Sequence, residues 1–407
     1  MTRALLVFLV AALTSPAFAQ APAPAPAPAP AADAPEIAKD LLLCDSLAFG
    51  TCPALSAALA SRDDVAKALA AQLKGATPRD AGKIALALSL LDARTEVDAL
   101  DAAGASLSDD PSTADIRSAQ ARLGDARAAP ALLKMLGGTD QRAQILAAGA
   151  LGLLRFQAAV APLRQLLSAG APRVQAATAH ALGMIGNADA EPELLALAAA
   201  PRTLSMVRAP ALDALAALRA QSAVPLATML VDATPREVAR AALRVLAAVP
   251  TPWADNAALA GLDTPGARAE AAQALVALKM SSAGLRVLAT AVRDDIEPDE
   301  RIALQAAVVA LKPSGASVVL LKRLQALPLS GEPDEAVRIL RMLPSLGDKT
   351  IVPELVPLLR LDSKSLVNHV VFALENLTGM HYGSDEKPWR EYAGLDHKDN
   401  PKKPVKP

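Results

Sequence analysis

Arg173-Val174-Gln175-Ala176-Ala177-Thr178-Ala179-His180-Ala181-Leu182-Gly183-Met184-Ile185-Gly186 is the stretch on which the fold turns. Val174, Ala177, Ala181 and Ile185 recur at helical spacing, and Gly186 ends the run. Alanines along one side let a second helix approach closely. A helix this short and this apolar is not stable alone in water, so it needs neighbours. The chain supplies them as copies of itself.

On the N-terminal side, the turn Ala169-Gly170-Ala171-Pro172 joins this helix to one containing Ala161-Pro162-Leu163. The same proline-leucine core recurs at Ala129-Pro130-Ala131-Leu132, Glu191-Pro192-Glu193-Leu194, Val224-Pro225-Leu226 and Val352-Pro353-Glu354-Leu355. Alanine-leucine second helices recur at Ala147–Gly152, Ala241–Leu243, Ala271–Leu275 and Phe372–Leu374. The spacing is about 31–33 residues, which is the range of helical repeat arrays. Proline early in a helix costs little, because its missing N–H falls in the unpaired first turn. Two or three buried Leu, Ile or Val side chains per unit, at ~1.5–3 kcal/mol each, stabilise a unit only when its neighbours are present. The pattern predicts an all-α, right-handed α-solenoid of antiparallel helix pairs, with eight clear pairs between Asp125 and Thr378. Pro210 and the long turn Asp294–Pro298 mark irregular units, read as bends or contact points or as neutral drift.

Composition agrees with a stack. Of 407 residues, 52% are hydrophobic but only 2% aromatic, so Ala and Leu fill the space that aromatic rings fill elsewhere. The net charge of −1 argues against wholesale nucleic-acid binding, which needs a basic excess. Beyond the N-terminus no charge-free run reaches the roughly 18–20 apolar residues of a membrane span.

Arg173-Val174-Gln175-Ala176-Ala177 running into Ala181-Leu182-Gly183-Met184-Ile185-Gly186, with the proline-leucine first helices, resembles the HEAT-repeat family. The likeness is to the short HEAT-like repeats of phycobilisome (bilin) lyases and of bacterial exported proteins. It implies a curved scaffold for protein contacts, with a groove lined by second helices. The bilin-lyase activity of such relatives does not carry over, since the shared residues are structural ones.

The segments divide as follows. Residues 1–19 read as a signal peptide: Arg3, the apolar run Ala4–Leu13, and Ala17-Phe18-Ala19 before a cleavage point at Gln20. Residues 20–35 alternate alanine and proline and read as an extended linker. Residues 36–93 read as an N-terminal helical cap, 94–380 as the solenoid, 381–395 as an aromatic cap, and 396–407 as a solvated Lys/Pro tail able at most to touch an anionic surface. Cys44 and Cys52 are the only cysteines, and in an exported chain an even pair reads as a disulfide. One continuous helix would hold residues eight apart about 12 Å from each other, too far to bridge, so a turn near Phe49-Gly50-Thr51 is required. A redox-active pair is the alternative, but the two-residue spacing is absent.

Phe372, Tyr382, Trp389 and Tyr392 gather most of the mature chain's aromatic residues at its end. They read as a cap over the last uncovered repeat, or alternatively as an aromatic pocket with His381. Catalytic signatures are missing: the histidines are His180, His369, His381 and His397, none spaced four apart, and no nucleophile elbow or phosphate loop occurs. No cofactor motif is present. His180 is read as a satisfied, partly buried histidine. Arg142, Arg173, Arg208, Arg240 and Arg268 fall near the starts of successive second helices. Two readings stand: a ladder of charge meeting an acidic partner, or arginines that order the stack by pairing with neighbouring carboxylates or carbonyls. The expected function is a noncatalytic exported scaffold, periplasmic or secreted, that binds another protein. The alternatives are an enzyme or accessory subunit with a site near His381–Tyr392, and an envelope spacer or tether.

Overall fold

A computed structural model describes residues 34–44, 52–108, 110–251, 254–329 and 333–395. The signal peptide, residues 20–33 of the Ala/Pro linker, the turn between the cysteines and the Lys/Pro tail lie outside the described residues; Ala34 and Pro35, expected in the linker, instead open the first helix. Among the described residues there are 23 α-helices and no strand.

Helices α1 (Ala34–Leu43) and α2 (Pro53–Ala60) lead into ten antiparallel pairs. These are α3 (Arg62–Gln72) with α4 (Pro78–Leu90), α5 (Val97–Ser106) with α6 (Thr113–Arg122), α7 (Ala129–Leu136) with α8 (Gln141–Leu153), α9 (Val160–Ala169) with α10 (Pro172–Ile185), and α11 (Glu191–Ala199) with α12 (Ser205–Ala217). There follow α13 (Val224–Met229) with α14 (Arg236–Ala248), α15 (Ala254–Gly261) with α16 (Arg268–Ala277), α17 (Gly284–Ala291) with α18 (Pro298–Leu311), α19 (Ala316–Gln325) with α20 (Asp334–Leu346), and α21 (Val352–Leu355) with α22 (Lys364–Thr378). A last helix, α23 (Glu386–Tyr392), follows the pairs. The even-numbered helices pack in sequence, α4 on α6 on α8 through to α22, and form one layer. The odd-numbered helices form the other. The fold is an α-solenoid, and eight of its pairs lie between Asp125 and Thr378.

Local chemistry explains each unit. Thr77 caps α4 by accepting from the Asp80 N–H at 3.2 Å. Pro130, Pro192, Pro225 and Pro353 stand within the first two positions of their helices, where no N–H is needed. Pro210 and Pro344 lie inside α12 and α20, and each helix nonetheless continues as one element. Helix α10 closes on Gly186 at φ 79°, a left-handed cap that glycine adopts without steric cost. Equivalent caps in neighbouring units are taken by Arg155 (φ 49°) and Arg219 (φ 52°), so the turn is dictated by the stack even where no glycine marks it. After Gly124, Gly186 and Gly347, the side chains of Asp125, Asn187 and Asp348 accept from the N–H two residues on and open the short 3-10 turn before the next first helix.

Small residues set the spacing of the even layer. A Cβ on Gly183 would stand 2.8 Å from the Ala214 Cα, and one on Gly152 would stand 3.0 Å from the Ala181 Cα. Helices α8, α10 and α12 therefore meet backbone to backbone. Gly183→Val is expected to cost on the order of 2–3 kcal/mol by forcing α10 and α12 apart, whereas Gly149→Val, where open space faces the Cβ, costs only helix propensity. Urea melts of the two variants check this.

The buried apolar residues fall into two clusters, one from Ile37 to Leu123 and one from Ala121 to Trp389. They meet in α6, the second helix with buried Thr113, Arg117, Ser118 and Gln120. Cys44 and Cys52 are bonded, with Cα atoms 6.0 Å apart, and join α1 to α2.

Candidate interaction surface

The five arginines taken from the sequence do not make one ladder. They are the second residue of α8 (Arg142) and α10 (Arg173), the fourth of α12 (Arg208), the fifth of α14 (Arg240) and the first of α16 (Arg268). Each step along a helix turns a side chain by about 100°, so these offsets scatter them around the helices. Arg142 pairs with Asp115 at 2.7 Å, and Arg240 pairs with Glu270 at 2.6 Å. Arg208 donates to the Ala198 carbonyl at 3.0 Å. Arg268 is buried, with its Nη1 3.3 Å from Glu300. Arg173 is exposed and makes no ion pair within 4 Å among the described residues.

A different periodic device emerges. Near the start of several second helices one side chain donates to the carbonyls ending the preceding first helix. Gln144 reaches Leu136 and Gly138, Gln175 reaches Leu167, Arg208 reaches Ala198, and Arg301 reaches Ala291. These carbonyls lack partners within their own helices, so the clasps satisfy them and tie each pair together. The sequence cue is weak, because Gln and Arg alternate at the position.

Other expected site residues fall out as follows. Trp389 is fully buried, and its Nε1 donates to the Gly383 carbonyl at 2.9 Å. Tyr382 and Tyr392 meet it edge-on, with ring centroids 4.9 Å and 6.4 Å away. Phe372 is not part of this cluster: it is exposed on α22, because its neighbours Val370, Ala373 and Leu374 take the inward positions. His180 is exposed, not partly buried, since Thr178, Ala179, Ala181 and Leu182 occupy the buried side of α10. His381 is exposed and lies 3.4 Å from Glu375. Asp294 and Asp295 in the long turn are engaged by Arg323 and Arg293.

Two groups of residues were not singled out by sequence reasoning. The first is a polar network where the two cores meet. Arg117 donates to Asp101 at 2.5 Å and to Gln120 at 2.7 Å, and Gln120 donates to Asp125 at 2.7 Å. Arg127 bridges Asp125 and Asp98, both at 2.8 Å. The Arg127 guanidinium, more than any other neighbour, holds the Asp125 carboxyl down to about 2. The Arg117 side chain lowers Asp101 likewise. A carboxylate depressed on folding stabilises the fold above its unfolded value, about 4, and loses that contribution as the pH falls toward 2. Acid is thus expected to loosen the α5–α6 junction in that window. Arg127→Gln should move the loss to higher pH, as read by far-UV circular dichroism during acid titration.

The second group lines an open groove of ≈ 340 Å³ along the even layer, between α4, α6 and α8. Arg79, Lys83, Arg122 and Arg142 face it with a single carboxylate, Asp115. Lys83 also donates to the Leu42 carbonyl at 3.2 Å, and Arg142 is the residue paired with Asp115. Arg79 and Arg122 are exposed and have no ion-pair partner within 4 Å among the described residues. Ser89, Ser112 and Ser118 add hydroxyls, while Leu86, Ala119 and Leu146 supply apolar contact. Of the arginines expected from the sequence, only Arg142 belongs here. On the same layer a second groove, between α16 and α18, is lined by Ala277, Ala303, Ala306, Ala307 and Ala310 with Gln273 and Val276.

A two-layer stack of paired short helices defines a helical-repeat protein. The chain carries HEAT repeats: residues 129–216 match the family model for HEAT repeats. Among solved structures, a Kap121p mutant is 13% identical with a TM-score of 0.52, over 84% of this chain and 48% of that one. Kap121p bound to the extreme C-terminus of the phosphatase Cdc14p is 14% identical with a TM-score of 0.51, over 88% of this chain and 51% of that one. The chain thus spans about half the length of Kap121p. The complex of CpcE and CpcF of phycocyanin lyase from Nostoc sp. PCC7120 is 23% identical with a TM-score of 0.38, over 61% of this chain and 94% of that one. No curated protein sequence matches the chain.

Proposed function

We propose that the protein is an exported scaffold that binds another protein along its even-numbered helix layer and performs no reaction of its own. The observation that carries this reading is the α4–α6–α8 groove on that layer, where Arg79, Lys83, Arg122 and Arg142 face one carboxylate; the openings on the odd layer, beside Pro225 and beside the paired Arg164 and Glu193, gather no such charge. Elsewhere the charged side chains tie one repeat to the next, as Arg244 does with Asp213 at 2.7 Å and Arg164 with Glu193. Kap121p, alike in fold, holds the Cdc14p C-terminus in one of its structures. The aromatic residues near His381–Tyr392 fill the stack end around Trp389, which weighs against a site there. The spacer reading rests on residues 20–35 and 396–407, of which only Ala34 and Pro35 are described.

A photo-crosslinking residue placed at Ser89 or Ala306, on the even layer, should trap a specific protein in the native cell envelope. One placed at Lys322, exposed on the odd layer, should not. Equal labelling from both layers, or none from either, would sink the proposal. Export is proposed on residues 1–19 and is supported by the Cys44–Cys52 bond, since disulfides persist in oxidising compartments. N-terminal sequencing of the mature chain should begin at Gln20.

A further inference from the structure

We infer that the groove between α4, α6 and α8 receives an acidic, extended peptide segment of the partner, with two carboxylates about 10–15 Å apart engaging Arg79 and Arg122. The inference rests on the scaffold reading and specifies the chemistry of what is bound.

Three observations carry it. The first is the charge. Four cations face one carboxylate, and that carboxylate is already taken by Arg142. Several second-helix arginines of the later repeats have acceptors within the chain: Arg240 has Glu270, Arg244 has Asp213, and Arg268 has Glu300. Arg79 and Arg122, like Arg173, have no ion-pair partner among the described residues, and these two share a groove. An exposed guanidinium without a partner keeps its planar donor fork free for a carboxylate.

The second observation is the spacing. Helices α4 and α6 run parallel, since Gly82, the fifth residue of α4, lies against Asp115, the third of α6. Arg79 therefore stands at the start of this helix pair and Arg122 at its end. Seven residues separate Asp115 from Arg122, which is about 10 Å of helix, and the ten from Arg79 to Ser89 span about 15 Å. One phosphate or carboxylate cannot bridge that length. An extended chain covers it in about four residues, at ~3.3 Å each.

The third is the floor between the charges. Leu86, Ala119 and Leu146 offer an apolar contact for one intervening side chain, and Ser89 and Ser118 offer hydroxyls for the backbone of an extended segment. A compact anion would use neither.

The test uses the full mature chain and fluorescein-labelled heptapeptides in which two glutamates flank a leucine-containing spacer of two to four residues. Anisotropy should show at least one of these peptides binding. Its glutamine counterpart should bind at least tenfold more weakly, and raising the salt from 0.05 M to 0.5 M should weaken binding as screening predicts. Arg79→Gln with Arg122→Gln should reduce affinity at least tenfold while leaving the circular dichroism unchanged, because both side chains are exposed. Equal binding of glutamate and glutamine peptides, no binding by any peptide, or an unaffected double variant would each overturn the inference. So would inorganic phosphate binding with the same arginine dependence while the peptides fail. The scaffold reading is tested separately: if Ser89 crosslinks a protein equally in wild type and double variant, the scaffold stands and the acidic-segment inference falls.

Discussion

Trp389→Ala is expected to fray the last helix pair while the central repeats stay intact. The indole is fully buried in the core that runs up to the end of the stack, and it is held by its hydrogen bond to Gly383 and by the flanking tyrosines. Removing a buried tryptophan costs ~3–5 kcal/mol. In a globular core that loss would spread over the whole domain. In a stack each unit touches only its neighbours, so the loss falls on the unit it covers. Helix α23 is also clamped by Arg360, whose guanidinium meets Glu386 at 2.7 and 2.8 Å, and this exposed pair adds little by itself. Hydrogen exchange should therefore accelerate in residues 352–378 and remain unchanged in 129–217. Trp389→Phe keeps most of the ring contact but loses the hydrogen bond, so its cost should be nearer ~1–2 kcal/mol. A uniform loss of protection along the chain would show that Trp389 does not act as a local plug.

Glu300→Ala should be as damaging, but in the interior. Glu300 lies on α18 and caps the preceding unit from outside: it accepts from the Gly266 N–H at 2.8 Å and the Arg268 N–H at 3.0 Å, at the start of α16. It also meets the buried Arg268 guanidinium, whose Nε donates to the Leu262 carbonyl just past α15. Truncation strands two backbone donors and leaves the buried guanidinium with only the Leu262 carbonyl and the more distant Asp295, 3.8 Å away. Breaking a buried pair in this way costs ~3–5 kcal/mol, mostly through the charge left behind. Glu300→Gln retains an acceptor for the helix start and should cost less. The double variant Glu300→Ala with Arg268→Met should recover much of the loss, because it removes the stranded charge. Urea melts with exchange mapping over α15–α18 would decide the matter, and an additive double variant would show that the two side chains are not coupled.

Much of the fold could be read in the sequence because the relevant physics is local. Pro130, Pro192 and Pro225 begin helices wherever they fall, and Gly186, Gly347 and Gly379 end them, whatever surrounds them. The left-handed caps at Arg155, Arg219 and Lys279 escaped that reading. There the turn is imposed by packing of adjacent units against a residue whose own preference points elsewhere. Of the two readings of the arginines, pairing within the stack holds for Arg142, Arg208, Arg240 and Arg268, and the single ladder fails for a related reason. Their spacing in sequence is near one repeat, but an offset of one or two residues within a helix moves a side chain to another face, and only the helix starts reveal the offset. Phe372 and His180 show the same limit: residue type suggests burial, and helix rotation places them outside.

The sequence by itself determined that this chain is a row of paired short helices: alanine and leucine at helical spacing, punctuated every thirty-odd residues, leave no other way to bury the apolar faces. It also determined that Cys44 and Cys52 could meet only across a turn. The tertiary structure alone decided which charges are satisfied. Glu300 and Arg268 are 32 residues apart, as are Gly266 and Glu300 to within two, and such pairs exist only once neighbouring units stack. It likewise decided that Arg79 and Arg122, on separate helices, face one groove without a carboxylate of their own. Coulombic and hydrogen-bond partners are set by distance in space, and a one-dimensional repeat pattern fixes that distance only after the helices have turned into register.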